Sequence, residues 1–168
     1  MKCPYCGYPN IPGSDECGSC YGDLSSLDGL VPRTKIGKSL LEDPISRLKP
    51  REAVVVKKES SVFEAVRKMN EAKCGCVLVT QDGELEGIIT ERDIFFKILS
   101  RGRDPARIKV REVMTSHPET LSEHDQLAYA VNRMSVGGFR HVPILRAGRP
   151  VGIISARDLL RYLSKLFP

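Results

Sequence analysis

The 168-residue sequence lacks the features of a membrane protein or a secreted protein. No apolar run approaches the roughly 20 residues that a membrane-spanning helix requires. The chain passes from Met1 and Lys2 directly to cysteine, without the apolar region of a signal peptide. We therefore expect a cytoplasmic protein with no membrane partner.

Residue patterns typical of enzymes are also missing. The sequence contains no phosphate-cradling Walker loop, no nucleophile placed beside a base, and no metal site with an open coordination position. Its acidic residues are scattered over the predicted helix faces. These absences predict that the protein is not an enzyme.

The composition is that of an ordinary soluble domain, with 41% hydrophobic and 28% charged residues. The formal net charge of +5 favours anionic partners, from nucleotides to nucleic acid, although the same charge also serves solubility. Charge alone does not choose between these roles.

Four of the six cysteines lie within the first 20 residues, as Cys3-x2-Cys6 followed by Cys17-x2-Cys20. Four thiolates in a tetrahedral array are a preferred structural zinc site, and a complete set of four leaves no position open for catalysis. Two disulfides are one alternative, but a cytosolic chain does not keep them. A redox pair is another, but it is expected as a single C-x-x-C near a βαβ pattern. We predict that these four cysteines bind a structural zinc ion.

Residues 1–24 resemble the short zinc ribbons found at the ends of many bacterial and archaeal proteins. A segment of this length cannot bury a core, so a metal ion must replace one. Gly7 and Gly18 lie where cysteine turns often need glycine. The segment has only Lys2 as a basic residue, against three acidic ones, which favours an unknown protein partner over nucleic acid. Residues 25–43 predict a linker with one short helix or edge strand.

From Pro44 onward the sequence contains an internal repeat. The phrase GIITERD at residues 87–93 returns as GIISARD at residues 152–158, with no gap in the alignment around it. A repeat of this length is a small domain, because a solenoid unit is shorter. The glycines that open the phrases, Gly87 and Gly152, let a strand pass close to a neighbouring backbone.

Each copy predicts the order β-α-β-β-α, in a first domain at residues 44–106 and a second at 107–168. In the first copy, Ser61 and Glu64 form a predicted capping box, and in the second copy Asp125 is the predicted helix cap.

Turns and apolar periodicity predict the remaining elements. Asp82-Gly83 and Ala147-Gly148 predict the turns of two hairpins. Apolar stripes predict the buried helix faces, formed by Val62, Ala65, Val66 and Met69 in one copy and by Leu127, Ala130, Val131 and Met134 in the other.

Over residues 44–168, the two copies resemble a tandem pair of CBS domains (the cystathionine β-synthase type), often called a Bateman module. The resemblance rests on the G-h-h-[TS]-x-x-D phrase, where h is apolar, on FRHVPIL at residues 139–145, and on VREVMTSHPETL at residues 110–121. It implies an α+β fold in which two tandem β-α-β-β-α repeats, related by pseudo-two-fold symmetry, follow the zinc ribbon. It also implies a homodimer formed through the CBS pair, and the apolar stretch from Leu159 to Phe167 favours one.

The pairs Thr90 with Asp93 and Ser155 with Asp158 have two interpretations. As capping boxes they stabilise a helix start by about 1 kcal/mol and need no ligand. As a ligand site, the hydroxyl and the free backbone N–H groups hold a phosphate, and the aspartate accepts hydrogen bonds from ribose hydroxyls. In the family that the chain resembles, the Thr or Ser contacts the phosphate or ribose, and the Asp holds the ribose of an adenosine ligand: AMP, ADP, ATP or S-adenosylmethionine.

The resemblance also distinguishes the two copies. The segment that lines the adenine and phosphate region reads Arg140-His141-Val142-Pro143 in the second copy. In the first copy it reads Gly75-Cys76-Val77-Leu78, without the basic side chain and the proline. We therefore favour the second copy as the ligand site, and the first is a weaker site or a plain helix cap. The residues expected at the two sites are Ser155, Asp158, Arg157, Arg140, His141, Val142, Pro143 and Thr120, and Thr90, Asp93, Arg92, Val55, Cys76 and Val77.

Several of these residues also have purely structural interpretations. Cys74 and Cys76 suit a core as small apolar residues, and less a metal or redox site. His141 either meets a phosphate when protonated or is a half-buried imidazole. Arg92 and Arg157 either reach a phosphate or pair with acidic neighbours on the helix surface.

These expectations lead to two functions of different classes. In the first, a non-catalytic regulatory module binds an adenosine-type ligand between the repeats, and the ribbon or a partner reads the resulting conformational shift. In the second, a dimeric scaffold or an adaptor for protein or nucleic acid acts through the ribbon, with empty CBS clefts. Ligand binding raises thermal stability, whereas nucleic-acid binding weakens steeply with salt.

Overall fold

The computed structural model describes residues 2–3, 5–11, 14–24 and 34–167. Residues 25–33 of the predicted linker therefore lie outside the described residues. The rest of the linker holds helix α1, Lys35–Glu42, which begins after Thr34, whose hydroxyl accepts a hydrogen bond from the Gly37 N–H. Of the two predicted alternatives, a short helix or an edge strand, the helix is observed.

The first repeat has the predicted order β-α-β-β-α. Strand β1 runs parallel to β2, and β2 and β3 form an antiparallel hairpin. A further short strand, β4, pairs antiparallel with β3 and completes a sheet of order β1-β2-β3-β4. The bounds are β1 Val55–Val56, α2 Val62–Ala72, β2 Cys76–Gln81, β3 Glu84–Thr90, α3 Glu91–Lys97 and β4 Thr115–Ser116.

The second repeat has the same order, and its strands form a sheet of order β5-β6-β7. The mixed α+β architecture with two β-α-β-β-α repeats is therefore confirmed. The bounds are β5 Leu121–Ser122, α4 Leu127–Gly137, β6 His141–Arg146, β7 Arg149–Ser155 and α5 Ala156–Ser164.

Both hairpins turn where the sequence predicts. Asp82 and Gly83 have φ of +53° and +85°, and Ala147 and Gly148 have φ of +49° and +78°. Two successive residues with positive φ are the signature of a type I′ turn, whose twist matches that of the flanking strands.

The first helix of each repeat has a predicted cap, and the structure agrees with that prediction for α2 but not for α4. The Ser61 hydroxyl accepts a hydrogen bond from the Glu64 N–H, which is one of the two bonds of the capping box predicted for α2. The predicted cap at Asp125 is wrong, because Gln126 precedes α4 and its side chain does not cap the helix. The Asp125 carboxylate instead accepts a hydrogen bond from the Ser122 N–H at 2.7 Å, so it stabilises the turn before the helix.

The predicted helix stripes are buried with one exception. Val62, Ala65 and Met69 of α2 and their counterparts on α4 are buried, and Val66 is partly buried against the same core. Val131 is 40% exposed, so its assignment to the buried stripe is wrong. It follows the buried Ala130, and one residue along a helix turns the side chain by about 100°, so Val131 lies at the flank of the stripe, as Val66 does on α2.

Contacts divide the chain into two compact units. The ribbon unit comprises residues 1–49, 122–140 and 154–168, and the sheet unit comprises residues 50–121 and 141–153. Each unit combines parts of both repeats, and the domain boundaries at residues 106 and 107 stay a prediction.

The core of the sheet unit lies on both faces of β2. On one face, Val77 and Val79 pack with residues of α2, α3 and the segment that follows α3. On the other face, Cys76 and Leu78 pack with Ile88. A strand buried on both faces explains the continuous apolar run CVLV. Cys76 is thus a core residue, and Cys74 is partly buried against the first cluster.

Within the described ranges, no helix combines the length and the apolar character needed to cross a membrane.

Candidate functional site

The four N-terminal cysteines converge on one point. The Sγ atoms of Cys3 and Cys20 lie 3.6 Å apart, those of Cys6 and Cys17 lie 3.5 Å apart, and all four lie within 4.8 Å of one another. A tetrahedral zinc ion with Zn–S bonds of about 2.3 Å would place its sulfur ligands about 3.8 Å apart. The cluster fits such an ion.

Each C-x-x-C segment forms a similar turn. The Gly7 N–H donates to the Cys3 carbonyl at 2.9 Å, and the Tyr21 N–H donates to the Cys17 carbonyl at 3.0 Å. Backbone N–H groups also donate to the first sulfur of each turn, from Tyr5 to Cys3 at 3.3 Å and from Ser19 to Cys17 at 3.4 Å. Such donors favour the thiolate form that binds metal.

The prediction for the ribbon glycines is half right. Gly7 has φ of +74°, in the region that favours glycine. Gly18 is not at the matching position of the second turn; Tyr21 is, with φ of +56°. The reason is the spacing, because Tyr21 follows Cys20 directly, as Gly7 follows Cys6.

The surroundings of Cys17 and Cys20 shift the pKa values of their thiols in opposite directions. Burial alone would raise the pKa of Cys17, but hydrogen bonds from the Cys20 and Ser19 backbone and from Asn10 lower this pKa to about 6. For Cys20, a backbone hydrogen bond from Gly22 lowers the pKa, yet burial and the neighbouring thiols raise it to about 12. Four thiolates at these distances need a cation to offset their repulsion, which a divalent metal ion would supply.

The ribbon is held against helix α4. The Arg133 guanidinium donates a hydrogen bond to the Tyr5 carbonyl at 3.0 Å. A Cβ atom added at Gly7 would lie 3.3 Å from the ring of Tyr129, so the glycine packs closely on that ring. Both contacts lie within the ribbon unit and link the cysteine turns to the second repeat.

The repeated phrases form the same hydrogen-bonded corner twice. In the first, the Thr90 N–H and hydroxyl donate to the Asp93 carboxylate at 3.0 and 2.6 Å, and the Asp93 N–H returns a bond to the hydroxyl at 3.3 Å. In the second, the Ser155 and Asp158 distances are 2.9, 2.6 and 3.3 Å. Both predicted capping boxes are confirmed.

The glycines of the two phrases also have the predicted role. A Cβ atom at Gly87 would lie 2.9 Å from the Thr115 carbonyl oxygen, and one at Gly152 would lie 2.9 Å from the Arg51 carbonyl oxygen. Real Cβ atoms do not approach backbone so closely, so both strands require glycine where a neighbouring segment passes.

The corners differ in charge. The N–H of Glu91, the first residue of α3, donates to the Gly75 carbonyl at 3.0 Å, and the N–H of Ala156, the first residue of α5, donates to the Arg140 carbonyl at 2.9 Å. The backbone is therefore alike, but the residue that follows the hydroxyl is the acidic Glu91 in the first corner and the neutral Ala156 in the second. The residue whose carbonyl accepts this bond is Gly75 in the first corner and Arg140 in the second. The Glu91 carboxylate lies close to Gly75, because its Oε2 atom is 3.1 Å from the position of a Cβ atom added at that glycine.

The two aspartates also differ in their second oxygen. The Oδ1 atom of Asp93 lies 2.7 Å from the Lys97 ammonium, which also donates to the Val113 carbonyl. Burial alone would raise the pKa of Asp93, but hydrogen bonds from Lys97 and Thr90 lower it. The corresponding Oδ1 of Asp158 lies 3.4 Å from Arg161, a longer contact.

One of the two arginines inside the phrases makes a contact that the sequence did not predict. The Arg92 guanidinium lies over the ring of Phe96, 6.0 Å from its centre, as a cation–π pair one turn along the helix. Arg157 is exposed, and the residue one turn beyond it is Arg161.

The expected residues of the first repeat lie on both faces of its sheet, with Cys76 and Val77 on opposite faces of β2. Cys76 lies opposite Thr90 in the β2–β3 ladder, and Val77 lies opposite Ile89, with both side chains buried. Val55 of β1 is 42% exposed. All of these residues lie in the sheet unit.

The expected residues of the second repeat are divided between the units. Arg140, Ser155, Arg157 and Asp158 belong to the ribbon unit, and Thr120, His141, Val142 and Pro143 belong to the sheet unit. Val142 and Pro143 are buried, and His141 and Thr120 are partly buried. Sequence reasoning missed Glu91, although aligning it with Ala156 at the repeat offset would have exposed the difference in charge.

Comparison with known proteins gives one consistent result. The family model described as CBS domain matches residues 45–100 and 110–165. A CBS domain-containing protein of Arabidopsis thaliana, CBSCBSPB3, is 26% identical over 151 residues, which cover 89% of this chain and 27% of the relative. An uncharacterized 17.7 kDa protein of Acidianus ambivalens is 34% identical over 121 residues, which cover 71% of this chain and 72% of the relative. The chain thus spans about a quarter of the length of the plant relative.

Solved structures agree on the fold. A CBS-domain-containing protein from Agrobacterium tumefaciens has 32% identity and a TM-score of 0.65, covering 70% of this chain and 94% of its own. A hexameric CBS-CP12 protein from bloom-forming cyanobacteria has 26% identity and a TM-score of 0.65, covering 68% of each chain. A CBS domain protein from Pyrobaculum aerophilum, complexed with AMP, has 23% identity and a TM-score of 0.65, covering 73% and 98%.

Proposed function

The chain belongs to the CBS-domain family, and from that membership we propose that it binds an adenosine-type ligand (AMP, ADP, ATP or S-adenosylmethionine) at the second-repeat corner and signals to a partner. CBS domains are generally regulatory, non-catalytic modules. The four cysteines hold a structural zinc ion in this proposal, and the ribbon contributes no open coordination position.

The observation that carries the proposal is the charge of the second corner. Arg140 lies where the backbone joins the start of α5, and a neutral Ala156 follows Ser155. We expect a phosphate placed beside Ser155 to be favoured by the dipole of α5 and to lie within reach of the exposed side chain of Arg140. At the first corner the same phosphate meets the Glu91 carboxylate.

The aspartates favour the second corner as well. A ribose diol needs a carboxylate oxygen as acceptor. Asp93 offers one oxygen to its capping box and holds Lys97 at 2.7 Å with the other, so a ribose must displace an ammonium group. Arg161 lies farther from Asp158, at 3.4 Å, and that contact is easier to exchange. The AMP complex of the Pyrobaculum aerophilum protein supports the choice of ligand class.

Isothermal titration of AMP, ATP and S-adenosylmethionine tests the proposal with Arg140→Gln. A hydrogen bond to a charged group contributes about 1.5–3 kcal/mol, so we expect the variant to bind AMP and ATP about 10- to 100-fold more weakly. The matched control is Arg149→Gln, which removes an exposed arginine from β7 and leaves affinity unchanged.

A second pair of variants separates the two corners. Asp158→Asn weakens ligand binding, whereas Asp93→Asn leaves it intact. Equal affinity of wild type and Arg140→Gln for the nucleotides contradicts the site, and failure of every compound to bind the wild type contradicts the ligand class.

We also propose self-association of the CBS pair as a homodimer. Phe95 of α3 and Leu160 of α5 occupy equivalent positions of the two repeats and are 57% and 69% exposed. Exposed apolar side chains at matched positions favour a contact surface. The cyanobacterial CBS-CP12 protein is a hexamer, which supports self-association.

The alternative function is a scaffold or adaptor that acts through the ribbon. Tyr21 favours it, because an aromatic side chain that is 78% exposed and has positive φ is unusual at a turn tip. The acidic excess of the ribbon favours a protein partner there over nucleic acid. Ligand failure in the titrations above, together with salt-sensitive binding of nucleic acid, would select the nucleic-acid form.

A further inference from the structure

Asp43, the residue after α1, joins three helices of the ribbon unit. Its carbonyl oxygen accepts a hydrogen bond at 3.0 Å from the N–H of Leu127, the first residue of α4. Its carboxylate accepts a hydrogen bond at 2.8 Å from the hydroxyl of Tyr162 on α5, and a short one from Ser39 on α1. Asp43 therefore links the end of α1, the start of α4 and a residue within α5.

The ribbon rests on one of these helices. Arg133 of α4 holds the Tyr5 carbonyl, and Tyr129 packs on Gly7. Both residues lie within two turns of Leu127, so the ribbon and Asp43 contact the same short helix. A continuous series of contacts runs from the ribbon through α4 and Asp43 to Tyr162.

Tyr162 lies one turn beyond Asp158 on the helix that Ser155 caps. Holding its hydroxyl fixes the rotation of α5 and, with it, the second corner. The first repeat has a different arrangement, because the residue equivalent to Tyr162 is Lys97, which bonds Asp93 and Val113 of the same unit. Among the described residues, this link between a corner and the ribbon is a feature of the second repeat.

We infer that Asp43 is a positioning residue that couples the metal state of the ribbon to the second corner. A folded ribbon holds α4, Asp43 carries that restraint to Tyr162, and α5 presents Ser155 and Asp158 in a fixed orientation. Pre-organisation of this kind lowers the cost of binding. Coupling is reciprocal, so a ligand at the corner also makes the ribbon bind its metal more tightly at equilibrium. The identity of the ligand rests on the proposed function, but the link between ribbon and α5 does not.

Hydrogen exchange tests the link without any ligand. Chelation of zinc from the wild type is expected to speed exchange of the amide protons at residues 156–164 at least about fivefold, the lower range of allosteric coupling. In Tyr162→Phe, which removes only the hydroxyl, exchange in α5 is already fast, and chelation changes it less than about twofold. The matched control, Tyr8→Phe, removes a hydroxyl from the ribbon surface and behaves as the wild type. Unchanged exchange in wild-type α5 after chelation contradicts the inference.

Titration with AMP tests the consequence for binding. Zinc-loaded wild type is expected to bind AMP at least about fivefold more tightly than the chelated protein, and Tyr162→Phe is expected to show less than a twofold difference. Arg133→Ala, which loosens the ribbon while zinc stays bound, should reproduce the loss. Equal AMP affinity with and without zinc contradicts the inference and leaves the proposed function standing. Absence of AMP binding contradicts the proposed function for AMP, and hydrogen exchange then decides the link.

Discussion

Single residues distinguish two corners whose hydrogen bonds agree within 0.1 Å. The shared bonds come from the hydroxyl and aspartate of each phrase. The differences come from neighbours outside the shared pattern: Glu91 against Ala156, Gly75 against Arg140, and Lys97 against Tyr162. A duplicated sequence thus keeps the backbone geometry of a helix start and changes its electrostatics.

Asp93 makes the stability of the protein depend on acid. Its carboxyl has a pKa below the ordinary 3.8 in the folded state. The charged form is therefore favoured by folding, and this contribution is present above about pH 4 and lost as the pH falls through the lower folded-state pKa. We expect Asp93→Asn to cost about 1–2 kcal/mol in the free energy of unfolding at pH 7 and progressively less toward pH 2. Urea unfolding across this range measures it.

The control for this measurement is Asp82→Asn, which removes a carboxylate from an exposed hairpin turn and keeps a residue suited to positive φ. If the cost of Asp93→Asn stays constant between pH 7 and pH 2, the destabilisation comes from disturbed packing and not from the lost carboxylate charge.

Residues that act through near neighbours could be predicted from the sequence. The capping boxes and the C-x-x-C turns depend on spacings of three residues, so letters alone define them. The bond between Asp43 and Tyr162 joins residues 119 positions apart, and only the fold brings them together. The predictions for Gly18 and Val131 failed for another reason. Each residue type suited the role, but the positive φ of the second cysteine turn falls at Tyr21, and the buried stripe of α4 does not extend to Val131.

At the scale of elements, the two hairpins use the same turn with different residues. A type I′ turn requires positive φ at both central positions, which suits Asp82 and Gly83. Alanine at position 147 has a Cβ atom that crowds the backbone in this conformation. The order of strands and helices was predictable because apolar periodicity and turn residues agree. The short strand β4 was not, because two exposed residues carry no such pattern.

Ala147→Asn is expected to stabilise the protein by about 0.5–1 kcal/mol, because asparagine tolerates left-handed backbone better than alanine. Thermal or urea unfolding measures the change. The reciprocal variant, Asp82→Ala, places alanine in the same conformation of the first hairpin and should lose a similar amount. A stabilised Asp82→Ala would contradict the argument from backbone conformation.

At the scale of the whole molecule, the last helix of each repeat exposes large apolar side chains to solvent. Phe95 stacks edge-on with its neighbour Phe96 at 5.3 Å between ring centres, and both rings are more than half exposed. Leu160 stands at the equivalent place of the second repeat. Apolar area of this kind on two related helices is what a self-complementary contact between copies requires.

Light scattering at micromolar concentration is expected to give the mass of a dimer for the wild type. Phe95→Glu and Leu160→Glu are tested separately, and a variant whose new charge falls in the contact between copies should give the mass of a monomer, because burying an unpaired charge is strongly disfavoured. Val136→Glu changes an equally exposed apolar residue of α4 and should leave the dimer intact. A monomeric wild type would contradict the proposed homodimer.

The passage of Arg51 beside Gly152 has a consequence for synthesis on the ribosome. Arg51 and Ile153 exchange two backbone hydrogen bonds, of 3.1 and 2.9 Å, although about 100 residues separate them. The backbone groups of Arg51, in the segment before β1, are therefore paired only once β7, the last strand of the second repeat, is present. A nascent chain that has just completed the first repeat still has this edge unpaired, so the edge closes only after the last strand of the second repeat has been synthesised.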